Sequence, residues 1–373
     1  MVRAELGSRE MRQIRLMKPY VNFNEVEEDF RAIFDSGIFT RGQHAAAFRK
    51  ELAEYTGAKH VHLATSATTA LWVCLKLLGV GAGDEVVVSD FSFPATANVV
   101  EDVGAIPVFA DVSRETYNVL PETVEGLLTV RTKAVIFVDA LGNPSGLHSV
   151  VTLCRSRGIP VIEDAACAIG SSERGRRCGS IADLTCLSFH PRKLLSTGEG
   201  GAILTDVDKW SYWLDVKLAH GSNGMNGPGQ EFVDFGYNFR LAELQAAMGR
   251  KQLAKIDAIV HDRLQTREIY REILEPLGFT AQSIGTDVRY NAQSITFSVP
   301  ANCNRNGLIS ALKTFGIETT IGTYALSGTT YYWEKYHAVN ANSRWLANNT
   351  ISLPCYAGVD VYEVCEAVRS ITN

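Results

Sequence analysis

One lysine stands where the chain could form a covalent link to a carbonyl compound. Lys193 lies in the segment SFHPRKLLSTGEGG (188–201), between two predicted strands and directly before a glycine-rich turn. Partial burial lowers the pKa of a lysine and exposes the lone pair of its amine, as Schiff-base chemistry requires. Ser188, at the start of this segment, could offer its hydroxyl to a phosphate. A surface lysine before a β-turn would look the same locally, so this segment alone assigns no cofactor.

A carboxylate at the end of a predicted strand is the second candidate. The run PVIEDAA (160–166) ends in two acidic residues, and alternation along a strand places Glu163 and Asp164 on opposite faces. Ligands of parallel α/β sheets bind outside the carboxyl ends of the strands, so Asp164 is well placed to pair with a protonated ring nitrogen. Capping of the next helix is the alternative role for Asp164.

Two further segments each follow a predicted strand. At TSAT (65–68) a strand turns into a helix, whose first backbone N–H groups, with the hydroxyls of Ser66 and Thr68, could cradle an anion. Phe93 could stack on a planar cofactor. Ordinary N-capping and core packing are the respective alternatives. The succession of cradle, aromatic ring, aspartate, lysine and glycine-rich turn is more specific than any one of these signals.

The composition is that of an ordinary globular chain. Of 373 residues, 46% are hydrophobic and 21% charged, which excludes a mostly disordered chain, a collagen-like repeat and a coiled coil. The formal net charge of -5 argues against a nucleic-acid partner, and no apolar run approaches the length of a membrane helix. The N-terminal segment lacks the apolar core of a secretory signal. Because the 8 cysteines form no CxxC pair, we expect reduced thiols and a cytoplasmic location.

The elements that must position these residues follow from the apolar pattern. Short apolar runs alternate with helix-like stretches from about residue 60 onward, which predicts a mostly parallel sheet with helices on both faces. The polar, glycine-rich stretch 220–230 predicts a long mobile loop, and helical spacing predicts one helix from about 240 to 275. We predict a large α/β domain over residues 1–250, including an N-terminal arm, and a smaller α/β domain over 251–373.

Taken together, these segments resemble the DegT/StrS family of pyridoxal-phosphate-dependent nucleotide-sugar aminotransferases. The resemblance implies the type I fold of pyridoxal-phosphate-dependent transferases, with a mostly parallel seven-stranded sheet and pyridoxal 5'-phosphate as cofactor. It also implies an amino-acid donor, glutamate, and a nucleotide-linked keto sugar as acceptor, for an aminodeoxy sugar of a surface polysaccharide or a secondary metabolite. The segments that carry it are residues 83–112, IEDAACAIGS (162–171), SFHPRKLLSTGEGGAILT (188–205), GYNFRLAELQAA (236–247) and LPCYAGVDVYEV (353–364).

The resemblance further implies roles for single residues. Lys193 would bind the cofactor as a Schiff base and later move protons, while Asp164 would pair with the ring nitrogen. Asn238 would reach the cofactor phosphate of the neighbouring subunit, so that the site would be shared across a homodimer. The other implied contacts are Ser66, Ala67, Thr68 and Ser188 at the phosphate, Phe93 and Cys167 at the ring, and His190 and Arg240 at the substrate.

Two positions depart from the family's pattern. Cys167 stands where the family commonly has Gln or His near the O3′ atom of the cofactor, and a thiol is the weaker hydrogen-bond donor. Ala67 stands in a cradle that usually reads Ser-Gly-Thr, which restricts the backbone but keeps its N–H.

Three alternatives differ in the chemistry they require. A sugar 3-dehydratase of the same family has histidine at the lysine position, so Lys193 favours transamination. Amination at C3 of the sugar remains open, although the segments 188–191 and 197–201 are more similar to enzymes that aminate C4 of a 4-keto-6-deoxy sugar. A nicotinamide-dependent reductase needs a glycine cluster between a strand and the following helix, whereas GVGAG (79–83) follows a helix and precedes a strand.

Overall fold

The computed structural model describes residues 13–372. Most of the segment tested for a secretory signal, at the beginning of the predicted N-terminal arm, and Asn373 lie outside the described residues. The helices are α1 (Phe23–Ser36), α2 (Gln43–Thr56), α3 (Ala67–Leu77), α4 (Ala95–Asp102), α5 (Pro121–Leu127), α6 (Leu147–Ser156), α7 (Asp208–Lys217), α8 (Glu243–Leu253), α9 (Ile256–Leu274), α10 (Arg305–Thr314), α11 (Thr330–Tyr336), α12 (Ala341–Asn349) and α13 (Val361–Thr372).

Strands form one large sheet and several small ones. The strands are β1 (His60–Ala64), β2 (Glu85–Ser89), β3 (Phe91–Ser92), β4 (Ile106–Ala110), β5 (Thr132–Val138), β6 (Val161–Asp164), β7 (Ser172–Glu173), β8 (Arg176–Arg177), β9 (Leu184–Ser188), β10 (Gly201–Thr205), β11 (Ser222–Asn226), β12 (Gly229–Phe232), β13 (Thr280–Ala281), β14 (Val288–Arg289), β15 (Ile295–Ser298), β16 (Thr320–Ile321), β17 (Tyr324–Ala325) and β18 (Thr350–Leu353).

The large sheet confirms the predicted fold class. It has seven strands in the order β1-β10-β9-β6-β5-β2-β4. Strand β10 runs antiparallel to both of its neighbours, and all other adjacent pairs are parallel. The carboxyl ends of β1, β6 and β9 therefore lie at one edge, where the segments after Ala64, Asp164 and Ser188 meet.

Both faces of this sheet are buried under helices. In β2, the strand next to the edge strand β4, Val86 and Val88 belong to one apolar cluster, with residues of α3 and α4, and Val87 belongs to another, with residues of α6. A strand that is buried on both faces is a continuous run of apolar residues. This is why the runs EVVVS and KAVIFV predicted buried strands.

The C-terminal part of the chain has a core of its own. A four-stranded sheet, β13-β15-β18-β16, packs with α10 and α13 in an apolar cluster that also takes in Ile14 from near the N-terminus. The segment 324–349 packs back onto the N-terminal part of the chain, where β17 pairs with β3 in a separate two-stranded sheet and Leu326 and Tyr332 join the cluster of α3. The proposed domain division at residue 250 stays a prediction.

Two predictions about the middle of the chain were wrong. The stretch predicted as a loop contains the hairpin β11–β12, whose two-residue turn begins at Gly227 with φ of 63°, a conformation that glycine adopts at low cost. The single long helix is two helices, α8 and α9, separated where Lys255 takes non-helical dihedral angles (φ -118°, ψ 9°). Among the described residues, no helix is long and apolar enough to cross a membrane.

A pair of carboxyl groups is buried on the face of β6 opposite Asp164. Asp139 and Glu163 are fully buried, and within residues 13–372 neither oxygen of Asp139 has a hydrogen-bond donor. Glu163 Oε2 accepts hydrogen bonds from the Thr185 hydroxyl (2.6 Å) and the Gly179 N–H (3.1 Å), whereas its Oε1 has no described partner. Burial raises the pKa of both carboxyl groups, and the negative charge of Glu163, when ionised, raises the pKa of Asp139 further.

This pair predicts a pH dependence of stability. A raised carboxyl pKa means that the folded state still holds a proton at a pH where the unfolded state has lost it. The free energy of unfolding should therefore fall as the pH rises from about 4 toward the folded pKa, by at most about 1.4 kcal/mol per pH unit for each such proton. Asp139→Asn should flatten this slope in urea denaturation between pH 5 and 8 at fixed protein concentration. Asp35→Asn, at an exposed carboxylate, is the control. A wild-type slope in Asp139→Asn would show that the pair holds no such proton.

Candidate active site

A cavity of about 540 Å³ lies at the carboxyl edge of the large sheet. Nine of the residues singled out in the sequence line it, although they come from segments more than a hundred residues apart. They are Ser66, Ala67, Thr68, Phe93, Asp164, Cys167, Ser188, His190 and Lys193.

The loop that carries Lys193 is held from both sides by one glutamine. Gln293 Oε1 accepts a hydrogen bond from the Leu194 N–H (2.9 Å), and its Nε2 donates one to the Arg192 carbonyl (2.7 Å). Leu194 is fully buried, so the backbone at Lys193 is fixed while its side chain points along the cavity. The Lys193 Nζ lies 3.0 Å from the Cys167 Sγ.

Asp164 is a carboxylate at 6% exposure. Its Oδ2 accepts a hydrogen bond from the Thr96 hydroxyl (3.0 Å) and its Oδ1 accepts one from the Ala166 N–H (3.3 Å). Burial raises the pKa of Asp164, while the Thr96 hydrogen bond and the Lys193 ammonium group act in the opposite direction. Since Thr96 donates its proton to Asp164, the Ser92 hydroxyl 2.8 Å away must donate to Thr96. This chain of hydroxyls supports a buried negative charge that a cation could neutralise.

The start of α3 borders the cavity where the sequence predicts an anion cradle, and that role stays a prediction. Ser66 caps the helix, since its Oγ accepts from the Thr69 N–H (3.1 Å) and its own N–H donates to the Thr69 hydroxyl (3.1 Å). The N–H groups of Ala67 and Thr68, in the first turn, have no intrahelical acceptor and border the cavity. A Cβ at Gly201 would lie 2.5 Å from the Ser66 carbonyl carbon, so only glycine lets β10 approach the cradle this closely. Ser66 can therefore cap α3 while the N–H groups of Ala67 and Thr68 remain available to an anion.

Three other side chains complete the wall. Phe93 is 64% exposed and touches Tyr324 edge-on, with ring centroids 6.3 Å apart, while Ser188 is buried at the end of β9. His190 Nδ1 accepts from the Arg192 N–H (3.2 Å), which places the ring proton on Nε2 in the neutral form. Partial burial lowers the pKa of His190, which favours that neutral form.

Asn238 and Arg240 lie outside this cavity. Asn238 forms an isolated bridge with Ala219, beside the hairpin β11–β12, and Arg240 lines a different cavity. Within one described chain, neither is among the residues that line the cavity of Lys193.

Sequence reasoning missed three residues that support the site: Thr96, Gln293 and Arg263. Arg263 is fully buried and donates to the carbonyls of Ala292 (2.8 Å), Gln293 (2.7 Å) and Cys355 (2.7 Å), so it joins segments around the cavity. Arg263 could have been found from the sequence, because it is a charged residue within the apolar stripe of α9. Thr96 and Gln293 carry no local signal, because their partners are distant in sequence.

This arrangement fits pyridoxal phosphate. The buried carboxylate of Asp164 suits a protonated ring nitrogen, the cradle at α3 suits a phosphate, and the exposed ring of Phe93 suits a planar group. Lys193 lies between them with its amine directed into the cavity. The same set can hold an imine-forming cofactor and move a proton at its substrate.

Comparisons with known proteins show which sequences and folds this chain is similar to. The sequence profile of the DegT/DnrJ/EryC1/StrS aminotransferase family matches residues 22–371. The spore coat polysaccharide biosynthesis protein SpsC of Bacillus subtilis (strain 168) is 32% identical, with 95% of this chain and 96% of SpsC covered. GDP-perosamine synthase of Vibrio cholerae is 30% identical, with 96% and 99% covered. The crystal structure of the aminotransferase TlmJ from Streptoalloteichus hindustanus superposes with a TM-score of 0.90 at 29% identity, covering 96% of this chain and 98% of TlmJ.

The hydroxyl support of Asp164 gives a testable prediction. Thr96→Val removes a hydrogen bond to a buried carboxylate, worth about 1.5–3 kcal/mol, and keeps the branched shape of the side chain. The affinity of the apoprotein for pyridoxal phosphate, titrated by absorbance, should fall about ten- to hundredfold. Thr152→Val, at an exposed threonine of α6, is the matched control. Wild-type affinity in a folded Thr96→Val protein would show that Thr96 does not support the site.

Proposed function

The chain belongs to the DegT/DnrJ/EryC1/StrS aminotransferase family, and from this premise we propose that it transfers an amino group from glutamate to a nucleotide-linked 4-keto-6-deoxy sugar. Members of this family are sugar aminotransferases that use pyridoxal phosphate. The observation that carries the proposal is the juxtaposition of Lys193 and Asp164 at the carboxyl edge of the sheet, facing the cradle of α3. The name of the relative GDP-perosamine synthase supports a nucleotide-linked sugar as acceptor.

Each residue of the cavity has a task in this proposal. Pyridoxal phosphate, when bound, supplies an electron sink for the carbon that gains or loses the amino group. Asp164 would keep the ring nitrogen protonated, because a carboxylate buried beside it favours the cationic form. Lys193 would hold the cofactor, and its free Nζ would move the proton at the substrate carbon. Phe93 would cover the ring, and Ser188 and the first turn of α3 would hold the phosphate.

Cys167 suits the second task of Lys193. A released lysine that formed an ion pair would be held protonated and could not accept a proton. The Cys167 Sγ, 3.0 Å from the Nζ, is a weaker hydrogen-bond partner than a carboxylate, so it can orient the amine without holding it in a strong contact. His190 lies at the same wall and, in its neutral form, can donate a hydrogen bond from Nε2 to a substrate oxygen.

A substrate panel tests this proposal. Purified enzyme with glutamate should aminate a 4-keto-6-deoxy sugar linked to UDP, dTDP or GDP, measured as formation of the aminated sugar nucleotide by mass spectrometry. Lys193→Ala should lose this activity and the borohydride-reducible link to the cofactor while keeping the fold, as judged by circular dichroism. Amination of a 3-keto sugar alone would favour the alternative at C3, and loss of a hydroxyl without nitrogen incorporation would favour a dehydratase. Activity retained in Lys193→Ala would show that another lysine does the chemistry.

We further propose a homodimer whose active sites are shared. Asn238 lies outside the cavity of its own chain, so its proposed contact with a cofactor phosphate requires a second copy. Large apolar side chains are exposed in the segment directly before Asn238 and in the segment directly before Thr40, which bridges Ala242 next to the start of α8. Exposed apolar patches of this kind mark interaction surfaces. They include Phe34, Phe39, Phe232, Val233 and Phe235.

Mixed dimers test the shared site. If one subunit carries Lys193→Ala and the other Asn238→Ala, one of the two sites in each mixed dimer is free of both changes. The mixture should therefore regain about a quarter of wild-type activity, and the purified mixed dimer about half, as two-fold symmetry requires. Each parent alone serves as the control. A mixture as inactive as its parents, or an active monomer in sedimentation, would contradict the shared site.

A further inference from the structure

A second cavity, of about 450 Å³, lies beside the hairpin β11–β12 and the start of α2. We call it the arginine cavity, because Arg41, Arg49 and Arg240 line it. Asp215 is the only carboxylate among its lining residues in the described chain. Its volume is in the range that small-molecule sites occupy. Its remaining walls are largely apolar, from Ala45, Ala46, Leu63, Leu218, Met225 and Leu241.

The charges in the arginine cavity do not balance. Asp215 is already engaged, since its Oδ1 lies 3.1 Å from the Arg49 guanidinium and 3.0 Å from the His62 Nδ1. Burial lowers the pKa of His62, so this ring adds no lasting positive charge at neutral pH. Arg41 and Arg240 then leave the cavity with an excess of two positive charges.

Arg240 and Arg41 repel one another. Burial and the charge of Arg41 together lower the pKa of Arg240. The Arg240 Nε is buried and, within residues 13–372, has no hydrogen-bond acceptor. A buried donor without an acceptor is costly, whereas Arg41 itself is exposed to solvent. An anion between the two guanidinium groups would supply the acceptor that the Arg240 Nε lacks and would relieve their repulsion.

The backbone holds Arg41 in place against local strain. Arg41 has φ of 56°, in the left-handed region that residues with a Cβ adopt reluctantly. The buried carboxylate of Glu243 accepts hydrogen bonds from the N–H groups of Gly42 (2.9 Å), His44 (2.8 Å) and Ala45 (3.0 Å), which pins the turn. Glu243 accepts its hydrogen bonds from these amides and is not among the residues that line the arginine cavity, so its described contacts fix the turn that carries Arg41.

We propose that Arg41 and Arg240 bind the diphosphate of the nucleotide-linked sugar. A diphosphate diester carries two negative charges, which matches the excess in the cavity, and guanidinium groups bind phosphate oxygens in pairs. This inference rests on the proposed function, since Arg240 lies two residues from Asn238 and would face the same partner site. The apolar walls suit the less polar parts of the nucleotide. The proposal adds Arg41 to the residues that bind the substrate.

The test measures binding of nucleoside diphosphates directly. Titration calorimetry of the cofactor-loaded enzyme with UDP, dTDP and GDP, at 0.15 M salt, should give an affinity for at least one of them. Arg41→Gln and Arg240→Gln should each weaken it at least about tenfold, and Arg41→Lys, which keeps the charge but not the paired donors, by less. Arg174→Gln is the matched control, because Arg174 also has a positive φ (49°) but lies in the turn between β7 and β8.

Kinetics separate this inference from the function on which it rests. In Arg41→Gln the KM of the nucleotide sugar should rise at least about tenfold relative to Arg174→Gln. Wild-type nucleotide affinity in folded Arg41→Gln and Arg41→Lys, in an enzyme that still aminates sugars, would overturn the inference alone. A rise confined to the KM of glutamate would also overturn it and assign the arginines to the donor carboxylate. A wild-type enzyme that turns over no nucleotide-linked keto sugar would refute the proposed function itself.

Discussion

The burial of one negative charge organises the candidate site. A carboxylate at the position of Asp164 is costly unless groups around it compensate, and the structure supplies the Thr96 hydroxyl, one backbone N–H and the ammonium group of Lys193. These groups compensate only in part, because burial still raises the pKa of Asp164. In the proposed function, the protonated ring nitrogen of pyridoxal phosphate would lie beside Asp164 and complete the compensation.

The sheet brings these groups together because parallel strands end at one edge. Segments after β1, β6 and β9 reach that edge, and the one antiparallel strand, β10, starts there and passes the cradle so closely that Gly201 must lack a side chain. The C-terminal part of the chain then fixes the loop of Lys193 through Gln293. Parts of the chain far apart in sequence therefore hold the lysine and the aspartate in one orientation.

The segment after the hairpin β11–β12 and the turn before α2 support the proposed shared site. The first carries Asn238 and Arg240 and the second carries Arg41, none of which lines the cavity of Lys193 in the described chain, and exposed aromatic rings lie in both segments or directly before them. The exposed aromatic rings suit contact with a second subunit, and the arginine side chains suit an anionic substrate. The net charge of -5 makes such a local concentration of positive charge necessary for binding a diphosphate.

The sequence by itself determined the fold class and the residues at the strand ends, because buried parallel strands are continuous apolar runs and their carboxyl ends carry polar residues. It did not determine the hairpin at 222–232 or the break at Lys255, since a polar, glycine-rich stretch is compatible with a loop and a local change of dihedral angles leaves the helical spacing intact. Thr96, Gln293, the buried pair of Asp139 and Glu163, and the meeting of Arg41 with Arg240 were decided only by tertiary structure. Each depends on a contact between residues distant in the chain, and such contacts leave no periodic or local signal.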